Sequence, residues 1–421
     1  MSKIVEKLLS LSVINFSIGF FVILLIPTLQ LWGWGFWNYL DHVRINTIVA
    51  NSITFSLISF ILWRFRRFAG TNIQSYIIPT VSIVYFLVFT YFLFTRFGYS
   101  RYVLIGGYSL NISWFFLITY LLKERKKQHF LVIPHGKANN LIRLKNFREF
   151  KFTVITEPKI KIEQVCHGII VDLNASTLTR EWEKFIAKCT LEHIPVYHSK
   201  HIIEDITGRI QIEHLSENHF GTLLPSPFYS FGKRLLDLLI VFLSVPLTLP
   251  IMLIIAVLIK LESKGPILFI QDRVGQGNID FKIFKFRSMF IDAENEGAKL
   301  AQIDDHRITK IGRWIRKTRI DELPQLWNVL KGEMSFIGPR PEQRAFVTQF
   351  EECIPFYMYR LVLKPGMTGW AQVMQGYASN ENDTILKIQY DFYYIKHFSF
   401  WLDILIVLKT IRVLVTGFGA K

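Results

Sequence analysis

The sequence predicts a multi-domain membrane protein with a four-helix transmembrane bundle, a small cytoplasmic α/β domain, and a C-terminal α+β domain carrying a re-entrant membrane helix. Three observations predict it. The 421 residues are 51% hydrophobic and 15% aromatic, with a mean hydropathy of +0.29, more apolar than a soluble chain of this length sustains. Apolar runs of bilayer length fill the first third, and a further run, interrupted by prolines, stands past the middle. The remainder is polar and rich in Lys and Arg, giving a net charge of +16.

The first four runs are Leu11 to Leu31, Val43 to Trp63, Ile73 to Phe94 and Tyr102 to Leu122. Each is close to the ~20 residues that a helix needs to cross a bilayer, so residues 1–122 read as four transmembrane helices. The first run lacks a small-residue cleavage site and is expected to be an anchor rather than a removed leader. Lys3, Lys7, Arg64, Arg66, Arg67, Lys123, Arg125, Lys126 and Lys127 fall on one side, against Arg44, Arg96 and Arg101 on the other. Cytoplasmic loops collect Lys and Arg, which places the N-terminus and everything after Leu122 in the cytoplasm. Few ionisable groups sit at mid-membrane depth, so the bundle reads as an anchor or dimerisation platform rather than a transport path.

Residues 123–224 have the composition of a soluble domain. Short β-rich runs (Phe130 to Pro134, Phe152 to Thr156, Gly168 to Asp172, Ile194 to Tyr197) alternate with amphipathic segments, predicting a parallel, Rossmann-like sheet. "IPHGKANN" offers one glycine and no dinucleotide fingerprint, so a structural or regulatory role is expected. His193, His198 and His201 lack a carboxylate or Cys partner at ligand spacing, and Cys166, Cys189 and Cys353 form neither a zinc motif nor a disulfide framework. "LLPSPFYS" (Leu223 to Ser230) marks a Pro-containing boundary, with a linker expected over 225–232.

Residues 235–261 are long enough to cross but hold Pro246 and Pro250 and are basic on both flanks, with Lys233 and Arg234 before and Lys260 and Lys264 after. A crossing would carry a basic remainder outside, so a helix that enters, breaks near Leu249 and Pro250 and returns is expected over an ordinary kinked crossing.

The basic charge suits anionic headgroups and phosphorylated substrates, while the apolar excess argues against nucleic acid. Lys285 and Arg287 alternate with Phe284 and Phe286, so on a strand both cations face one way, as a phosphate clamp would. Arg316, Lys317 and Arg319 precede Asp321 and Glu322; adjacent carboxylates could divide into a nucleophile and a holder of a divalent cation. Pro324 would start a helix and bring both carboxylates to its positive end. Locally, this string also reads as a surface ion-pair cluster, and "GPRPE" and "KPGMTGW" read first as rigid turns in which Arg340 and Lys364 supply charge.

From about Lys233 to the C-terminus, the ordered motifs "KRLLD", "KFRSM", "DELPQLWNVLKGEMSFIGPRP", "PGMTGWAQV" and "YDFYYIK" resemble the catalytic domain of the bacterial sugar transferases, the monotopic polyprenyl-phosphate phosphoglycosyltransferases. The whole chain resembles the long members of that family. The resemblance implies that Asp321 attacks the sugar-bearing phosphate of a UDP-sugar and releases UMP. Undecaprenyl phosphate would then take the phosphosugar from the aspartyl intermediate. It further implies Mg2+ on Glu322, phosphate and carboxylate organisation by Arg316 and Arg340, a basic motif at Lys285 and Arg287, support from Asp391 and Pro341, and a helix break at Pro250. The location implied is the bacterial inner membrane, with the catalytic domain on the cytoplasmic face among membrane lipids; a homodimer is compatible. Leu249 stands where some relatives carry Ser, and Lys364 where Arg is common, trading a bidentate fork for a point charge at a phosphate or nucleotide contact. Rival readings are a phosphodiester hydrolase with water as acceptor, which leaves the re-entrant segment unexplained, and a non-catalytic nucleotide-sugar sensor or assembly partner in polysaccharide export. The residues do not read out the sugar.

Overall fold

The structure is a computed structural model that describes residues 3–66, 68, 73–125, 128–143, 150–158, 166–211, 224–290, 307–375 and 381–416. Arg67, Lys126, Lys127 and Leu223, used above, lie outside the described residues, as do the side chains of Lys3, Lys7, Lys123 and Arg125. The chain divides into two compact units, Met1–Thr207 and Gly208–Lys421.

The first unit begins with α1 (Lys3–Trp32), α2 (His42–Phe65), α3 (Gln74–Thr95) and α4 (Arg101–Arg125), close to the expected runs. The Asp41 side chain caps α2 by accepting from Arg44 N at 2.8 Å, and Arg96, in the left-handed region at φ 57°, ends α3. The outward faces are as apolar as the inward ones, with Phe21, Ile53, Phe86 and Phe94 exposed, the pattern of helices meant for lipid. Inside, Tyr85 OH donates to Asn51 Oδ1 and accepts from Asn111 Nδ2, each at 3.0 Å, tying α2, α3 and α4 together.

After these helices, β1 (Gln128–Val132), α5 (Asn139–Arg143), β2 (Phe150–Val154), β3 (Gly168–Val171), α6 (Arg180–Leu191), β4 (Val196–His198) and α7 (Ser199–Thr207) form the expected parallel sheet, in the order β2-β1-β3-β4. Its β3 is buried along its whole length, which is why Gly168 to Val171 reads as a continuous apolar run rather than an alternating one. One face packs Phe130, Val132 and Ile170 against Ile202 and Ile206, the other Ile169 and Val171 against Trp182 and Phe185.

The second unit opens on α8 (Pro227–Glu262). The linker expected over 225–232 is largely helix, because Ser226 caps the Tyr229 N–H and Pro227 pre-sets the first helical position. The expected break is also corrected: α8 is assigned as one helix through Pro246 and Pro250. Each proline withholds one backbone donor, and Ser244 and Thr248 hydroxyls bond back to the carbonyls of Val241 and Ser244, devices that bend a helix without ending it. Both ends of α8 grip the same body. Near its start, Arg234 donates to the carbonyls of Val329 and Leu330, and Val241 joins a core with Phe281, Ile283 and Leu326. Near its end, Ile255 and Ile259 pack on Phe286 and Ile315, and Glu262 accepts from Lys310 N at 2.7 Å. No residue from 242 to 254 is buried.

An antiparallel hairpin of β5 (Leu268–Val274) and β6 (Asp280–Phe286) leads through α9 (Lys310–Lys317), a 3-10 helix (Ile320–Gln325) and α10 (Leu326–Lys331) to β7 (Ser335–Ile337), then α11 (Arg344–Cys353). The chain ends with β8 (Gly366–Thr368), α12 (Trp370–Met374), α13 (Glu381–His397) and α14 (Phe400–Thr416). β7 and β8 pair in parallel, and their backbones cross so closely that a Cβ on Gly366 would lie 2.1 Å from Gly338 N. Glycine in both "GPRP" and "PGMTG" therefore sets the approach of the two loops that carry Arg340 and Lys364.

Candidate active site

Three elements converge on one carboxylate. β6 brings Lys285, the 3-10 helix brings Asp321 and Glu322, and the loop after β7 brings Arg340. Glu322 Oε1 lies 2.9 Å from Arg340 Nη2, 3.6 Å from Arg319 Nη1 and 3.8 Å from Lys285 Nζ. Burial works to raise the Glu322 carboxyl, but Arg340, Lys285 and Arg319 outweigh it and hold the group at about 2. Asp321 goes the other way. Burial first, then the neighbouring Glu322 charge, push it up to about 6. Burial and Arg340 lower Lys285 to about 8. Asp321 Oδ1 is buried and has no hydrogen-bond partner among the described residues.

The 3-10 geometry explains the split. At three residues per turn, neighbours point about 120° apart, so Glu322 makes the ion pairs while Asp321, still within the field of the same cations, makes none among the described residues. Pro324 lies inside this 3-10 helix, one turn before α10, so the carboxylates sit on the 3-10 turn itself rather than on the end of an α-helix as expected. Arg319, which begins the turn, adopts φ 59°, a left-handed conformation rare for a side chain of its kind and a mark of a site held by its surroundings.

Behind this group stands a supporting layer. Asp391, 1% exposed, accepts from Arg360 Nη2 at 2.9 Å, and the same nitrogen donates to the Arg340 carbonyl at 2.9 Å. Asp391 thus acts on the site through Arg360 and the Arg340 backbone. Glu342 is held at about 2 because Lys387 and Arg360 outweigh the upward push of its burial. It meets Lys387 Nζ at 2.5 Å and Arg273 Nη1 at 3.7 Å, while Arg273 Nη1 donates to the Pro341 carbonyl at 3.2 Å.

Lys285, Asp321, Glu322 and Arg340 are therefore together, with Asp391 and Pro341 one layer out. Arg287 is elsewhere: buried, it donates to Ser263 O, Ser263 Oγ and Lys264 O and fastens the end of α8, because it lies past the end of β6 where the strand meets that helix. Arg316, on the last turn of α9, pairs with neither carboxylate among the described residues; Arg319 stands 3.6 Å from Glu322 instead. Lys364 faces Arg234 rather than the cluster, and burial, then Arg234, lower its ammonium. Sequence reasoning named Arg319 among the cations before the carboxylates without giving it a role, and passed over Arg273, Glu342, Arg360 and Lys387. Arg319 carried a signal in its i,i+3 spacing to Glu322, whereas Arg360 in "YMYRL" carried none.

Fold and site define a protein with apolar helices and a buried carboxylate centre ringed by cations. The bacterial sugar transferase profile matches residues 228–417. Over 96% of this chain and 95% of its own length, UDP-N-acetylgalactosamine-undecaprenyl-phosphate N-acetylgalactosaminephosphotransferase of Aeromonas hydrophila is 47% identical. Undecaprenyl-phosphate glucose phosphotransferase of Komagataeibacter xylinus is 43% identical over 43% of this chain and 35% of its own, and UDP-glucose:undecaprenyl-phosphate glucose-1-phosphate transferase of Escherichia coli (strain K12) is 41% identical over 42% and 39%. The chain belongs to the bacterial sugar transferase family.

Proposed function

We propose that this chain transfers a sugar 1-phosphate from a UDP-sugar to undecaprenyl phosphate at the inner membrane, through a phosphosugar carried on Asp321. The observation that carries the reading is the half-buried Asp321 carboxylate, with its Oδ1 buried and unpartnered among the described residues and the group ionised above about pH 6. An unpartnered carboxylate oxygen costs stability, and a nucleophile is what such a group provides in return. In the first step an Asp321 oxygen attacks the sugar-bearing phosphorus, and the bridging oxygen leaves with UMP. In the second, an oxygen of the lipid phosphate attacks the aspartyl phosphorus and releases the carboxylate. Lys285, Arg319 and Arg340 keep Glu322 ionised, and their net positive charge draws in the diphosphate.

Magnesium suits this donor set. It is bound through one or two carboxylates, with substrate phosphates and water completing the shell, and no cluster of three or more His, Cys, Asp or Glu is needed or found among the described residues. Glu322, with Asp321 beside it, would hold the ion, which would mask charge on the diphosphate. The two ends of α8 on one body, with an apolar middle between, support a re-entrant segment whose ends share the cytoplasmic face.

UMP release from a panel of UDP-sugars, headed by UDP-N-acetylgalactosamine because the full-length relative's name carries that sugar, tests the reading with undecaprenyl phosphate and magnesium present. Lipid-dependent turnover lost in Asp321→Asn is expected. UMP release equal in the parent and the Asn variant would return the sensor or assembly reading to first place.

A further inference from the structure

A cavity of about 170 Å³ lies in the second unit, and the chemistry above leaves it unused. One face of the first turns of α8, with Lys233, Arg234 and Asp237, forms one wall; Ser335, Ile337 and Lys364 form another. The charges do not balance. Lys233 is spent on Asp403 at 2.8 Å, and Asp237 Oδ1 accepts from Ser335 Oγ and Phe336 N. Arg234 donates to the neutral carbonyls of Val329 and Leu330, so Lys233, Arg234 and Lys364 stand against Asp403 and Asp237 with one cation in excess. Lys364 has no hydrogen-bond or ion-pair partner among the described residues. Both cations converge on one point, since a Cβ on Gly332 would lie 3.3 Å from Arg234 Nη2 and 3.5 Å from Lys364 Nζ. Burial, then Arg234, disfavour the Lys364 charge and Asp237 offsets only part of that, a remaining cost that an anion in the cavity would reduce.

Position narrows the anion. Beside the basic residues, the other face of α8 carries exposed Leu235, Leu236 and Leu239, so the cavity lies where polar chain meets the apolar run of a helix long enough to enter a bilayer. It also neighbours the loop that carries Arg340. Leu363 lines both this cavity and the narrow cleft lined by Arg340, and Ile337 stands three residues before Arg340, at most about 11 Å of extended chain.

We infer that this cavity receives the phosphate monoester of the lipid acceptor, held between Lys364 and Arg234 at headgroup depth beside the site where the donor reacts. The inference rests on the transferase reading, and its test has one arm that needs no turnover. Full-length protein in nanodiscs, parent against Lys364→Met and Lys364→Arg, is assayed for KM of undecaprenyl phosphate and of the UDP-sugar. Retention of undecaprenyl phosphate, undecaprenol and inorganic phosphate is followed separately by native mass spectrometry without donor. Expected are a rise of about tenfold or more in the lipid KM for the Met variant, a donor KM within twofold of the parent, recovery with Arg, and retention of the lipid phosphate but not of undecaprenol. A donor KM that rises as much as the lipid KM would make the cavity a nucleotide site, and inorganic phosphate retained as well as the lipid would remove the acceptor from it; either overturns the inference. A parent that holds lipid phosphate through Lys364 yet releases no UMP from any donor sinks the transferase reading and leaves the cavity standing. Normal turnover with lipid KM and retention unchanged in the Met variant sinks the cavity alone.

Discussion

The bundle interior and the carboxylate centre both bury polar groups, and they do it in opposite ways. Between α2, α3 and α4 the buried groups are the neutral side chains of Asn51, Tyr85 and Asn111, tied by hydrogen bonds. Around Glu322 they are ionised, three cations on one oxygen, with Asp321 left outside the pairing. A neutral network can register helices with little at stake when a member is lost. A charged one penalises every unpaired member heavily, so it persists where the charge itself is used.

The largest expected break in that contrast is Asp321→Asn, which should lower turnover by about three orders of magnitude or more, read as UMP released. The same change should stabilise the fold. Burial and Glu322 raise the Asp321 carboxyl to about 6, so the folded state prefers its protonated form and loses stability as pH climbs from the unfolded value through 6. At pH 7.5 the Asn variant escapes that cost and should gain on the order of 2 kcal/mol, checked by denaturation in detergent at pH 7.5 and pH 5, with the gain about halved at the lower pH and gone only below the unfolded carboxylate value near 4.

Next comes the layer behind. Arg360→Leu strands Asp391 as a buried unpaired charge and should cost about 3–5 kcal/mol, while Arg360→Leu with Asp391→Leu should recover much of it. A double variant no better than the single would show that Arg360 matters chiefly through its bond to the Arg340 carbonyl. A milder effect is the acid limb of the pH profile. With Asp321 protonated below about 6, activity should fall about tenfold per pH unit there, while Glu322, held at about 2, stays ionised throughout. An acid limb unchanged by Lys285→Met, which removes a cation that lowers Asp321, would count against Asp321 as its source.

The smallest change belongs to the bundle. Tyr85→Phe removes two hydrogen bonds and should cost about 1 kcal/mol, at roughly 0.6 for a typical membrane hydrogen bond, with UMP release within twofold of the parent. A loss of several kcal/mol would erase the difference between the two interiors.

How much of this was legible depended on whether the signal was local. Runs of bilayer length and the β-rich segments Phe130 to Pro134 and Gly168 to Asp172 announced helices and a parallel sheet because periodicity acts over a few residues. The centre was legible as far as chemistry and neighbouring sequence reached: Asp321, Glu322, Lys285 and Arg340 fell in motifs and came together. Arg287 was misread because strand alternation says which face a side chain leaves, not what waits there; the end of α8 did. Arg316 was preferred to Arg319 because the left-handed turn that swings Arg319 toward Glu322 is a tertiary fact. Glu342 stands two residues from Arg340, but its partners Lys387 and Arg273, like the Arg360–Asp391 pair, come together across long stretches of sequence.

α8 is gripped at both ends by one body, through Arg234 and Val241 near its start and Ile259 and Glu262 near its end. A helix that must emerge on the far side is at the mercy of bilayer thickness and tilts or stretches to match it. With α8, the distance between the apolar stretch and Asp321 is fixed by protein contacts alone. Under the proposed re-entrant placement, the carboxylate works as if on a float, riding at one height on thin and thick membranes alike.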